Sequence, residues 1–220
     1  MDDRKPRSDD KEMLEELKIT DFRVTIFGSA RLKPEDEIYQ MVFDLSKEIG
    51  KKGFDIVTGG GPGLMEAANA GHAEGDKDEK ADNIGLTIQL PWEAHGNKHL
   101  ELKKHFNKFS GRLDHFMALS RAVIVAPGGI GTCLEFFYAL QLVQVKHIKP
   151  VPIILLGEMW KSLYDWIVEQ PVKNGLVSIE DLDTVHYAAN PEEAMKLVME
   201  EHAKFESEDS SRNTAEYLND

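Results

Sequence analysis

Short apolar, β-branched runs ending in Gly or Pro recur along the chain, separated by stretches whose apolar residues return with a helical period. The runs predict strands over Arg23–Phe27, Phe54–Val57, Ile84–Leu90, Ala122–Val125, Val151–Leu156 and Asp183–Tyr187. Between the first two, Pro34 leads into Ile38, Met41, Val42, Leu45 and Ile49, which share one face of a helix that closes at Gly53. Near the end, Asn190, Pro191 and Glu193 supply an N-cap, a first-position proline and an acid two residues on, ahead of Met195, Val198 and Met199. Strands alternating with helices imply an α/β fold, Rossmann-like and doubly wound, with a mainly parallel sheet and helices on both faces. One domain is expected over residues 21–205, between a charged segment 1–20 and an acidic, solvated tail 206–220. The segment Leu134–Val145, LEFFYALQLVQV, is apolar almost all round, so it should be covered on more than one side, inside the domain or by a second subunit. A homodimer is expected.

Composition narrows the partners. Against 26 Lys plus Arg stand 39 Asp plus Glu, a net charge of −13, so the chain gains little from counterion release on a polyanion, and neither nucleic acid nor a membrane surface is expected as a partner. Any anionic ligand must be held by local dipoles. The single cysteine, Cys133, excludes an intramolecular disulfide and a thiolate-rich metal site, and with a start too charged for a signal peptide it implies a cytoplasmic address. No apolar run is long enough to span a bilayer as a helix.

Two glycine-rich turns carry the candidate chemistry. After the second strand the chain reads Thr58-Gly-Gly-Gly-Pro-Gly-Leu-Met-Glu66, and after the fourth Pro127-Gly-Gly-Ile-Gly-Thr-Cys-Leu-Glu135. Both lie at carboxyl ends of parallel strands and open into helices, which aims unpaired amides and a positive helix end at the space above. A phosphate cradle is expected there, formed by Gly60, Gly61, Gly128, Gly129, Gly131 and the Thr132 hydroxyl. A Walker loop is excluded because Gly-Lys-Ser/Thr is missing. A G-x-G-x-x-G dinucleotide fingerprint fails as well, since the last glycine position falls on Leu134 or Glu66. A mononucleotide such as AMP fits better than a dinucleotide, and no metal or other cofactor is called for.

The segment PGGIGTCLE resembles the PGGxGTxxE signature of the LOG (Lonely Guy) family of nucleoside 5′-monophosphate phosphoribohydrolases. FGSAR at Phe27–Arg31, GGGPGLMEAAN at Gly59–Asn69, IQLPWE at Ile88–Glu93 and RLDHF at Arg112–Phe116 are similar to family segments in the same order, over roughly residues 22–170. The RLDHF form is more similar to the bacterial pyrimidine/purine nucleotide nucleosidases than to the plant cytokinin-activating enzymes, where Lys stands in place of Leu113. Many relatives carry two acids after PGGxGTx; here the first is Leu134. The resemblance implies hydrolysis of the N-glycosidic bond, releasing free base and ribose 5-phosphate, with Arg112 and Glu135 as the matched catalytic pair and Gly28 and Ser29 beside the phosphate and ribose. Members have also been labelled lysine decarboxylases, but the sequence holds no convincing pyridoxal-phosphate lysine motif.

Cleavage of that bond builds positive charge on the ribose and negative charge on the departing base, which calls for a carboxylate on one side and a donor on the other. Glu135 and Arg112 are of the right types. Each also has a plainer reading: Thr132-x-x-Glu135 is a capping box, and Arg112 could pair at the surface with Asp114 or a neighbouring acid. Cys133 reads as packing, and His95 and His99 lack further metal ligands nearby in sequence. The basic stretch Lys98, Lys103, Lys104 and Lys108 reads as a mobile rim or a solvated helix face. The rival from another class is a non-catalytic carrier of a phosphorylated ligand, such as a molybdenum-cofactor carrier, on a similar fold.

Overall fold

A computed structural model describes residues 21–88 and 96–207. The strands are β1 (Arg23–Phe27), β2 (Asp55–Thr58), β3 (Asn83–Ile88), β4 (Leu102–Phe106), β5 (Ala122–Val125), β6 (Ile153–Leu156) and β7 (Val185–Ala188). They form a 7-stranded sheet in the order β4-β3-β2-β1-β5-β6-β7, every pair parallel. The Rossmann-like, doubly wound arrangement expected from the alternation is the one found, with an all-parallel sheet. The order reverses between β1 and β5, which makes the carboxyl ends of these two strands the topological switch point where such sheets bind ligands.

The strands are apolar on both faces because helices cover both. On one face α1 (Glu37–Lys51), α2 (Leu64–Gly75) and α6 (Pro191–Ser207) pack Val42, Leu45, Ile49, Leu64, Ala67 and Val198 against Val24, Ile26, Ile56 and Ile124. On the other, α3 (Phe109–Leu119), α4 (Ile130–Gln144) and α5 (Lys161–Ile167) set Phe116, Phe136, Ala139 and Ile167 against Phe27, Val57, Leu86 and Val125. Alternate residues of one strand thus feed opposite cores, as the two-residue strand period requires.

Several expectations shift by a few residues for local reasons. Helix α1 begins at Glu37, not at Pro34, because Lys33–Asp36 closes a separate turn in which the Asp36 carboxylate accepts the Lys33 amide at 2.7 Å. The cap at Asn190 is as expected: its Oδ1 accepts the Glu193 amide at 2.9 Å, and the Glu193 carboxylate accepts the Ala189 amide at 2.8 Å. Helix α6 runs to Ser207, two residues past the expected edge of the domain. The strand predicted over Ile84–Leu90 is seen to Ile88, and its last two residues lie outside the described set, as do segments 1–20 and 208–220. The basic stretch is not a helix face: it contains β4, an edge strand whose Leu102 and Phe106 are buried, whose Lys103 and Lys104 are half-buried and whose His105 is exposed, lysines being a usual protection of an exposed edge. No helix among the described residues is long and apolar enough to cross a membrane.

Candidate active site

Three turns meet above the switch point. The β1 turn, Gly28–Arg31, leans on the β5 turn through the Ser29 amide, which donates to the Pro127 carbonyl at 3.1 Å. It leans on the start of α2 through the Ser29 carbonyl, which accepts the Leu64 amide at 2.8 Å. That second contact needs a glycine at Gly63, whose φ is +69° and whose Cα lies so close to the Ser29 carbonyl that a Cβ would overlap it.

A cleft of about 480 Å³ opens between these turns and α3, a size that suits a small-molecule ligand. It is lined by the polar residues Ser29, Arg31, Arg112, Thr132 and Glu135, by the glycines Gly129 and Gly131, and by the apolar residues Met65, Ile88, Phe109, Leu113 and Leu134. Helix α4 begins at Ile130 behind Gly129, so the amides of its first turn precede the first intrahelical bond, Cys133 N to Gly129 O, and point into the cleft region as donors.

Arg112 is carried by α3 and is buried at 8% exposure. Its Nε donates to the Leu86 carbonyl at 2.6 Å, its guanidinium lies 5.1 Å from the centre of the Phe116 ring, and its Nη1 stands 3.8 Å from Glu135 Oε1. The surface-pair reading fails, because Asp114 instead accepts a hydrogen bond from the Tyr138 hydroxyl. The capping-box reading fails as well. With the N-cap at Gly129, Thr132 is already in the first turn of α4 and makes no cap bond, and Glu135 lies one turn further along, turned to Arg112. Burial pushes the Glu135 carboxyl up to about 7, against the opposing pull of the Arg112 charge. Its side chain is only 14% exposed.

The structure therefore brings Gly28, Ser29, Gly129, Gly131, Thr132, Arg112 and Glu135 to one cleft. It leaves Gly60, Gly61 and Gly128 outside the lining. Gly60 and Gly61 turn their carbonyls to Asn97 at 2.7 and 3.1 Å, and the Gly60 amide is taken by the Thr58 hydroxyl at 3.0 Å. Gly128 lies under the Thr132 side chain, where a Cβ would overlap the hydroxyl. From the first glycine turn it is Gly59 that lines the cleft. Sequence reasoning missed Arg31 and Phe109. Arg31 closes the FGSAR segment directly after β1, and Phe109 stands three residues before Arg112 on α3, so both carried a positional signal. Cys133 is half-buried and packs against the core. Among the described residues no group of three or more His, Cys, Asp and Glu side chains could hold a metal ion, and His95 lies outside them.

The family model described as "Possible lysine decarboxylase", which covers the LOG proteins, matches residues 65–198, more than half of the chain. The chain belongs to the LOG family. Its curated relatives include a protein named "Pyrimidine/purine nucleotide 5'-monophosphate nucleosidase" from Escherichia coli (strain K12), 28% identical over 159 residues, which are 70% of this chain and 35% of that protein. The LOG chain described here thus spans about a third of the length of that relative. A second relative, "Probable cytokinin riboside 5'-monophosphate phosphoribohydrolase LOGL3" from Oryza sativa subsp. japonica, is 31% identical over 137 residues, 61% of this chain and 63% of that one. Among solved structures, the molybdenum cofactor carrier protein of Chlamydomonas reinhardtii superposes with a TM-score of 0.62 at 22% identity, over 83% of this chain and 99% of that one. The molybdenum cofactor binding protein of Rippkaea orientalis gives 0.58 at 22%, over 81% and 94%. These likenesses show that the LOG fold is shared.

Proposed function

We propose that the protein hydrolyses the N-glycosidic bond of a nucleoside 5′-monophosphate such as AMP, releasing the free base and ribose 5-phosphate. The observation that carries this reading is the buried Arg112–Glu135 pair, 3.8 Å apart, beside the first-turn amides of α4 in one cleft. The phosphate sits on the amides of Gly129–Thr132, at the positive end of α4, with the Thr132 hydroxyl, Gly28 and Ser29 completing the cradle. A water oxygen attacks C1′ while the C1′–N bond breaks, and the bonding electrons leave with the base. Glu135, poised near neutral pH by its burial, takes the proton from that water, and the proton passes on to the departing base. Arg112 faces the negative charge that develops as the base leaves. The names of the bacterial and plant relatives support the same chemistry. The carrier alternative has only a shared fold behind it.

The test is a chromatographic assay over a panel of nucleoside 5′-monophosphates. Free base together with ribose 5-phosphate is the expected product pair; release of nucleoside and inorganic phosphate, or no turnover with any of the panel, would contradict the proposal.

Arg31 is an exposed cation lining the cleft in a protein of net charge −13, and we assign it to the substrate phosphate. Arg31→Ala is expected to raise KM about tenfold, as a lost charge-assisted contact would, with kcat held within about twofold. Steady-state kinetics decide it, and an unchanged KM removes Arg31 from the site.

The proposal extends to a homodimer. Helix α4 buries only Thr132, Phe136, Ala139 and Val143 and leaves Ile130 at 86%, Leu134 at 48% and Phe137 at 39% exposure. Phe137 and the half-exposed Trp166 line an apolar cleft with Leu140, Pro171 and Val177. A second copy covering Phe137, Trp166 and the apolar cleft beside them accounts for the apolar face of α4 that the domain itself leaves open. Sedimentation velocity is expected to give about twice the chain mass of 24.8 kDa, and a monomer at micromolar concentration contradicts it.

A further inference from the structure

Behind the cleft lies a polar relay that the chemistry described so far does not use. Thr58 at the end of β2, Asn69 on α2 and Asn83 on β3 are buried at 0%, 0% and 1% exposure. Buried amides are costly unless satisfied. Here each finds partners. The Thr58 hydroxyl donates to Asn69 Oδ1 at 2.8 Å, Asn69 Nδ2 donates to Asn83 Oδ1 at 2.6 Å, and Asn83 Nδ2 returns to the Asn69 carbonyl at 2.8 Å. Asn97, between β3 and β4, completes the set: its Nδ2 donates to Asn69 Oδ1 at 2.8 Å and to the Gly61 carbonyl at 3.1 Å, and its amide donates to the Gly60 carbonyl at 2.7 Å.

The relay holds the first glycine turn from both sides. Thr58 takes the Gly60 amide, and Asn97 takes the carbonyls of Gly60 and Gly61. The preceding residue, Gly59, packs against Arg112 so closely that a Cβ there would overlap Nη2. Arg112 also donates to the Leu86 carbonyl on β3, the same strand that carries Asn83. These two contacts of the guanidinium therefore belong to backbone that the relay ties together.

We infer that Asn97, with Asn69 and Asn83, is a positioning device for the reaction: it holds the Gly59–Gly61 turn in place against Arg112, and so helps to keep the guanidinium beside Glu135. The inference rests on the reading of Arg112 and Glu135 as the reacting pair for its functional meaning, though not for its geometric content. A satisfied buried network selects one arrangement among near-equal ones, which an apolar contact at the same place does less well. Without the Asn97 side chain, its bonds to the Gly61 carbonyl and to Asn69 Oδ1 are lost, Arg112 gains room to retreat, and the charge facing Glu135 weakens. Arg112 is the charged group that the structure sets against Glu135, so the effect registers on that carboxyl directly.

The experiment compares wild type with Asn97→Ala in the full chain labelled with carboxyl-¹³C glutamate, the Glu135 resonance being identified by its loss in Glu135→Gln. The titration midpoint of Glu135 is expected to rise in Asn97→Ala by roughly half a pH unit or more, because a weaker opposing charge leaves desolvation dominant. With AMP as substrate, kcat is expected to fall roughly tenfold while KM stays within about threefold, the pattern of a displaced transition-state contact. Asn190→Ala, which removes a distant helix cap, serves as the control: it lowers thermal stability and leaves the Glu135 midpoint where it was. If Asn97→Ala does not fold, Asn97→Ser is measured in its place. An unchanged midpoint in a folded variant overturns the inference. Since the titration needs no turnover, an inactive wild type would count against the hydrolase reading alone.

Discussion

Replacing Glu135 by Gln is expected to leave a folded protein whose release of base from a nucleoside monophosphate is slower by on the order of 10²–10⁴-fold, the range a positioned general base supplies. The variant keeps the shape of the side chain in a site that is 14% exposed, so packing is preserved and only the proton acceptor is removed. Wild-type kcat/KM should climb with pH through the region near 7 and level off above it, because the ionised carboxyl is the form that takes a proton from water. Stability runs the other way. The folded-state value lies above the ordinary carboxylate value of 4.5, so the folded protein binds more protons than the unfolded chain between about 4.5 and 7, and stability declines as pH rises through that window. Glu135→Gln should flatten this part of the stability profile and melt at a higher temperature than wild type at pH 8. Near-normal turnover in a folded Glu135→Gln protein, or a wild-type rate independent of pH between 5 and 8, would contradict the assignment.

Arg112→Lys is expected to cost about 10²-fold in kcat although it keeps the charge. The guanidinium does two things with separate nitrogens: Nε donates to the Leu86 carbonyl at 2.6 Å, which anchors it, while Nη1 faces Glu135 at 3.8 Å. An ammonium is a single point charge, and one that bonds to Leu86 is drawn back from Glu135. It also loses the contact of the guanidinium carbon with the Phe116 ring at 5.1 Å. The pH profile should shift with the rate, its midpoint moving upward as Glu135 loses its opposing charge. Full activity in Arg112→Lys would show that charge alone suffices and that the planar fork has no role.

Much of the fold was legible in the sequence because local and long-range signals agreed. The Asn190-Pro191-x-Glu193 start forms the cap its residue types predict, and the alternation of apolar runs with helix-period segments pointed to the parallel sheet covered on both faces. The edge strand β4 was hidden because only its ends, Leu102 and Phe106, are buried, and the lysines that guard an exposed edge look like a solvated surface of any kind. At the site, glycine content marked the turns but could not say which atoms of a turn face the ligand. Gly59 lines the cleft whereas Gly60 and Gly61 turn to Asn97, a choice made by a contact between residues far apart in the chain. The capping-box reading of Thr132 and Glu135 failed for a similar reason: Gly129 starts the helix three residues earlier than that pattern supposes. Arg31 and Phe109 join the cleft only because β1 lies beside β5 and α3 packs across them, and strand order is not written in any single segment.

The most direct measurement is a crystal structure of Glu135→Gln with AMP bound. The expected result places the phosphate on the amides of Gly129–Thr132 with Arg31 alongside, and sets C1′ within reach of residue 135, the base lying toward Arg112. A phosphate bound elsewhere, or a ribose turned so that C1′ faces away from residue 135 and Arg112, would contradict the proposal that this cleft cleaves the bond between base and sugar.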